Sequence, residues 1–143
     1  MICGSRGWHD PGPIDKIIST HATTGSGDEE LVIIHGHAKS GADALADRLG
    51  RQWGATVIRE PADWGRYGRG AGPIRNQKML DDHKPDAVYA FRTTGKSNGT
   101  DDMVRRARQT GLPVAVITDE ETDHDAISAA ISSIQTAIRN MPA

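Results

Sequence analysis

The chain has 143 residues with 36% hydrophobic and 25% charged residues, enough for one domain with its own core. Its formal net charge of −2 gives no global attraction for DNA, RNA or an anionic membrane, and no apolar run nears the roughly 20 residues a membrane span needs. A single cysteine, Cys3, excludes an intrachain disulfide and suits a reducing cytoplasm, and the first residues lack a signal-peptide pattern.

In chain order, Met1–Cys3 reads as a first strand, so the N-terminal edge of the sheet is expected to be short or trimmed. Pro13–Thr20 then places Ile14, Ile17 and Ile18 on one helical face, with Pro13 suited to a first turn. Thr23–Glu30 is a polar, Gly-rich connection, expected to be mobile. Leu31–Ile34 is a continuous apolar run, as in strands covered on both faces. Ala42–Trp53 carries an apolar stripe and is followed by Gly54, a helix terminator. Ala55–Ile58 is a third strand, Pro73–His83 a helix and Ala87–Phe91 a fourth strand. Thr100–Gln109 is a helix ended by Gly111 and Pro113, Pro113–Ile117 a fifth strand, and Asp125–Ile138 a closing helix. The β-α alternation predicts one α/β domain over residues 1–143, a Rossmann-like doubly wound parallel sheet of five strands in the order 3-2-1-4-5, flanked by helices. Ligands of such sheets sit beyond the carboxyl ends of the strands.

The 16 glycines concentrate at those ends. Gly4-Ser5-Arg6-Gly7-Trp8 offers a tight turn, a hydroxyl and an arginine fork for phosphate or carboxylate. His35-Gly36-His37-Ala38-Lys39-Ser40-Gly41-Ala42-Asp43 runs into a helix N-terminus, which attracts anions, although P-loop spacing is absent. Asp43 either caps that helix or binds a ribose hydroxyl. His35 and His37 lack a third partner, so no metal is expected, and no cofactor. The stretch from Pro61 to Asn76 holds Asp63, with Trp64 and Tyr67 to stack on a base and Arg66, Arg69 and Arg75 to meet phosphates. The same composition would suit a single-stranded nucleic acid. Finally Ser97, Asn98, Gly99 and Thr100 form a nest of donors at the next helix start, with Asp101 and Asp102 in its first turn.

Together these motifs resemble the SLOG superfamily, and within it the YspA/cpYpsA-related branch found in bacteria and their phages. The match rests on Gly4-Ser5-Arg6-x-Trp8, His35-Gly36-x-Ala38-x-x-Gly41-Ala42-Asp43, Pro61-Ala62-Asp63-Trp64, Ala71-Gly72-Pro73-x-Arg75-Asn76-x-x-Met79, Gly99-Thr100 and Gly111-x-Pro113-Val114. The resemblance implies a Rossmann-like fold, a nucleotide or nucleotide-derived ligand such as a nucleoside monophosphate, NAD or ADP-ribose, homo-oligomers, and a cytoplasmic setting, the host's for a phage-encoded copy. The ligand-binding residues it suggests are Gly4, Ser5, Arg6, His35, Gly36, Gly41, Asp43, Asp63, Trp64, Arg75, Asn76, Ser97, Asn98, Gly99 and Thr100. A more distant likeness runs to Lonely-guy phosphoribohydrolases, where a glutamate three residues after the Gly-Thr threonine assists cleavage. Met103 stands there in this chain, which leaves Asp102 or Asp63 as the carboxylate, with Arg75 to hold phosphate or stabilise developing charge, if there is chemistry. The expectation is a ligand sensor or a weak N-glycoside hydrolase. The alternatives are a single-stranded nucleic-acid-binding module, through a remote likeness to DprA proteins, and a phage or host protein-interaction module.

Overall fold

In the computed structural model, residues 1–24, 29–95 and 97–142 are described. Most of the Gly-rich part of the 23–30 connection, residues 25–28, and Lys96 of the fourth loop lie outside them. The elements alternate as expected. They are β1 (Ile2–Gly4), α1 (Pro11–Thr24), β2 (Val32–His35), α2 (Ala42–Gln52), β3 (Thr56–Arg59), α3 (Trp64–Tyr67) with a 3₁₀ turn (Gly68–Gly70), α4 (Ala71–His83), β4 (Val88–Arg92), α5 (Asn98–Gln109), β5 (Val114–Thr118) and α6 (His124–Arg139).

Each strand starts and ends one residue later than its apolar run. Pairing, not apolarity, sets the end: His35 is opposite Arg59 and Arg92 is opposite Thr118 in the ladders, so the polar residues belong to the strands. All strand pairs are parallel. The single five-stranded sheet is not formed. Instead β1-β4-β5 make one sheet and β2-β3 a second.

The physical reason lies at the junction of β1 and β2. At the carboxyl ends the two strands converge, and Ala42 N–H donates to Ser5 O at 3.3 Å. At the amino ends they part around a hollow of about 510 Å³, whose walls include Ile2, Ile17, Ile33, Tyr89 and Ile134. No ladder joins β1 to β2 among the described residues.

Successive strand residues point to opposite faces. Ile2, Ile33 and Tyr89 join Ile14, Ile17, Ile18 and Ile131 in the core under α1 and α6. Cys3, Ile34 and Ala90 join Met79, Leu80, Met103 and Val104 under α4 and α5. Both sheets therefore share a three-layer packing. No helix among the described residues is long and apolar enough to cross a membrane.

The stretch from Pro61 to Gly72 is more ordered than the sequence suggests. Asp63 accepts from Arg66 N–H at 3.1 Å and starts α3, and α4 begins at Ala71 with Pro73 inside its first turn. Likewise α5 begins at Asn98 rather than Thr100.

A candidate anion site at the carboxyl edge

Three strand ends meet through close backbone approach. A Cβ on Gly4 would lie 2.5 Å from Phe91 O, and one on Gly41, at φ +76°, would lie 2.2 Å from Ser5 O. These glycines let the loops after β1, β2 and β4 touch. Ser5 Oγ then pairs with Ser97 Oγ at 2.7 Å and accepts from Thr93 N–H at 3.1 Å. Ser40 Oγ donates to Arg6 O at 3.2 Å, while the Arg6 side chain is exposed. Trp8 packs edge-on against Phe91 in the core, with centroids 5.1 Å apart.

His35 is buried and turned into a fastening. Its Nδ1 accepts from His37 N–H at 3.0 Å and its Nε2 meets Asp47 Oδ2 at 2.7 Å. The proton therefore sits on Nε2. Asp47 also takes Arg59 Nε at 2.7 Å and Arg51 Nε at 2.8 Å. The Arg59 hydrogen bond, working against burial and helped by His35 and Arg51, holds the Asp47 carboxyl far below the ordinary range. Sequence reasoning missed Asp47, although its spacing four before Arg51 on α2 was a signal. Among the described residues no three His, Cys, Asp or Glu side chains assemble as a metal site.

Asp43 is buried and does not cap its own helix. Its Oδ2 accepts Ala38 N–H at 3.1 Å, so it folds the preceding loop back onto α2. Burial raises its pKa, against the Ala38 N–H, the charge of Arg75 and the Gly36 N–H.

Arg75, projecting from α4, is the centre of the arrangement. Its Nη1 donates to Gly36 O at 2.6 Å and Glu60 O at 3.4 Å, and its Nε donates to Asn76 Oδ1 at 3.0 Å. These are carbonyl oxygens, not carboxylates. Burial lowers the Arg75 pKa, opposed by the charge of Asp43. A Cβ at Gly36 would lie 2.5 Å from Nη1, so only glycine admits the guanidinium here. The contact to Glu60 O was another feature that composition did not reveal.

Asn76 links Arg75 to the fourth loop. It is buried, and its Nδ2 donates to Gly99 O at 3.2 Å and Asp102 Oδ2 at 3.0 Å. Asp102 points along the α4–α5 seam. Arg106 Nε donates to it at 2.8 Å, and Arg105 pairs with its other oxygen. Burial alone would raise the Asp102 pKa, but hydrogen bonds from Arg106 and Asn76 and the two arginine charges hold it below the ordinary range. At the start of α5, Ser97 and Thr100 are buried while Asn98 and Gly99 are exposed, and nothing among the described residues lies within 4 Å of a Cβ placed on Gly99. Open space over the first turn leaves its backbone N–H groups reachable. Trp64 is 50% exposed on α3, the helix that follows β3. Met103 is fully buried beneath α5, facing the core.

Of the sequence-derived set, Gly4, Ser5, Gly36, Gly41, Asn76 and Ser97 bind the loops together around Arg75, His35 and Asp43 brace them, and Thr100 is buried in the first turn of α5. Asn98, Gly99, Trp64 and Arg6 are left facing solvent. Asp63 is engaged as the cap of α3.

Residues 1–67 match the family model described as YAcAr, the YspA, cpYpsA-related SLOG family. No curated protein and no solved structure matches the chain.

Proposed function

We propose that this chain, which over residues 1–67 belongs to the YspA, cpYpsA-related SLOG family, binds a nucleotide or nucleotide-derived ligand through its phosphate at the carboxyl edge. The observation that carries the reading is Arg75, a half-buried guanidinium whose Nε and Nη1 donate, among the described residues, to carbonyl oxygens. A desolvated cation lacking a hydrogen-bonded carboxylate gains most from an incoming anion. The N-terminus of α5, open over Asn98 and Gly99, supplies the neighbouring donors, and Trp64 offers a face for the base. A sensor is favoured over an N-glycoside hydrolase because both oxygens of Asp102 are already taken by Asn76, Arg105 and Arg106. It acts as a positioning residue for Asn76 and α5 rather than as the reacting carboxylate.

Calorimetry with AMP, NAD and ADP-ribose tests this directly. Arg75→Ala should weaken the binding ligand by about 1.5–3 kcal/mol, the worth of a charged hydrogen bond. Unchanged affinity in a folded Arg75→Ala protein, or no binding by any of the three ligands, overturns the reading.

A second reading, a single-stranded nucleic-acid module, is favoured by Trp64, Tyr67 and Arg66 on α3. Both aromatics are exposed and the Arg66 guanidinium lies 5.1 Å from the Tyr67 ring centroid.

A further inference from the structure

The two outer strands of the fold differ in how their free edges are guarded. β3 and β5 are each paired along one flank only. Thr56 N–H bonds to Leu31 O and Glu60 N–H to His35 O, so Val57 and Arg59 turn their backbone groups outward on β3. That edge carries a charge: Arg59 Nε donates to Asp47 at 2.7 Å, and Pro61 follows the strand. Charged side chains and prolines are what keep a bare edge from pairing.

β5 has no such guard. Its sequence is Val-Ala-Val-Ile-Thr, without a charge. Val88 N–H bonds to Pro113 O and Asp119 N–H to Arg92 O, so the odd-numbered residues face β4. Val114, Val116 and Thr118 therefore present their backbone groups outward, Thr118 O also accepting Glu121 N–H at 3.2 Å. Pro113 falls in the register that faces β4, so it takes no donor from the outer edge. Among the described residues no strand pairs with this edge. Val116, at the centre of the strand, is 38% exposed. The surroundings are polarised along the strand. Its carboxyl end runs into Asp119, Glu120 and Glu121, all exposed, and its amino end adjoins the last turn of α5 with exposed Arg108, whose carbonyl accepts Gly111 N–H.

We propose that β5 is the docking edge for a second copy of this chain, whose own β5 runs antiparallel to it across a twofold axis at Val116, so that one sheet passes through both. In this register all three outward residues find partners. Val116 exchanges both hydrogen bonds with Val116 of the second copy, and Thr118 N–H donates to Val114 O across the axis. The two exposed valines then lie side by side on one face, each covering the other. The antiparallel direction sets the acidic turn of one copy beside the Arg108 end of the other. A parallel pairing of the same edges would set acid against acid. The edge is separate from the Arg75 cluster, and the proposal stands whether or not a nucleotide binds there.

Analytical ultracentrifugation of the full chain tests this. The wild type should dimerise reversibly below about 1 mM in low salt. Val116→Lys brings two ammonium groups together on the axis and should stay monomeric, with circular dichroism confirming its fold. Arg108→Glu changes only an exposed side chain and should weaken the dimer about tenfold, and adding Glu121→Arg should restore it. Hydrogen exchange followed by NMR locates the contact. Protection at Val116 and Thr118 should rise about tenfold as the protein is concentrated, while Val57 on the guarded edge stays unchanged. A wild type that remains monomeric at about 1 mM overturns the proposal. So does a dimer that survives Val116→Lys, or protection that grows at Val57 instead of Val116. A dimer weakened by Arg108→Glu but not restored by Glu121→Arg would refute the antiparallel alignment.

Discussion

Gly41 and Gly99 are both strand-to-helix glycines, yet the chain uses them for opposite ends. Gly41 sits at φ +76° with Ser5 O only 2.2 Å from its would-be Cβ, so an added methyl group must push two loops apart. Gly41→Ala should cost about 3 kcal/mol, from left-handed strain and the clash together, and a urea midpoint equal to the wild type would refute that. Gly99 has open space where a Cβ would go. Gly99→Ala should leave Tm nearly unchanged and weaken nucleotide binding about tenfold, or about 1.4 kcal/mol, because the methyl group occupies the approach to the helix N-terminus. Sequence reading marked both residues as ligand glycines because spacing does not tell which side of a loop is filled. Met103 carries a related lesson. In phosphoribohydrolases the corresponding position is expected to hold a glutamate, but here it is fully buried in the core under α5. Met103→Glu should therefore destabilise by several kcal/mol, through burial of an unpaired carboxylate, and release no base from a nucleoside monophosphate. Chromatography after incubation of the folded fraction, together with urea denaturation, decides between that outcome and a restored hydrolase.

At the scale of elements, two carboxylates act as clamps. Asp47 ties α2 to β2 and β3 through His35 and Arg59, and Asp102 ties α5 to α4 through Asn76. Both carboxyls titrate below their ordinary value of 3.8 in the folded protein, so the folded state binds protons less readily than the unfolded one. The stability they add is fully present above the unfolded pKa and is lost as pH falls through the folded one. The urea midpoints of Asp47→Asn and Asp102→Asn should lie below that of the wild type at pH 7, and the gaps should narrow between about pH 5 and pH 2. A gap that stays constant over that range would show that packing, not charge, is what these residues supply. Element order and parallel direction were legible because continuous apolar runs and 3.6-residue stripes report burial on both faces and on one. The break between β1 and β2 was not legible. The runs from Met1 and from Leu31 are apolar in the same way as the paired ones, and whether two edges come close enough to ladder depends on the space between them. The order inside the 61–72 stretch was hidden for another reason: its glycines signal a loop, while the Asp63 cap that starts α3 is a single local hydrogen bond.

The whole molecule sets the choice between a small ligand and a polymer. The formal charge of −2 leaves no field to draw a polyanion, so whatever binds must be held locally. Around Arg75 the described partners are the carbonyls of Gly36 and Glu60 and the side chain of Asn76, so the carboxyl edge offers a single cation rather than a track of them. Arg66 and Arg69 on the α3 side are exposed and could meet additional phosphates of a strand. The two modes differ in their response to salt. Each phosphate contact along a single strand contributes about −0.7 to the slope of log K against log salt, so a strand held by Arg66, Arg69 and Arg75 would show a slope near −2. Such a strand would also bind more tightly as it lengthens past the stacking span of Trp64 and Tyr67. We expect a mononucleotide to be sufficient: dT20 should bind no more tightly per site than AMP or ADP-ribose, and the slope for dT20 should be no steeper than about −1. Fluorescence anisotropy with labelled dT5, dT10 and dT20 between 50 and 300 mM salt measures both quantities. Affinity that climbs with length at a slope of −2 or steeper would move the function from the carboxyl edge around Arg75 to the aromatic face of α3. In that case Trp64→Ala, rather than Arg75→Ala, would be the variant that abolishes binding.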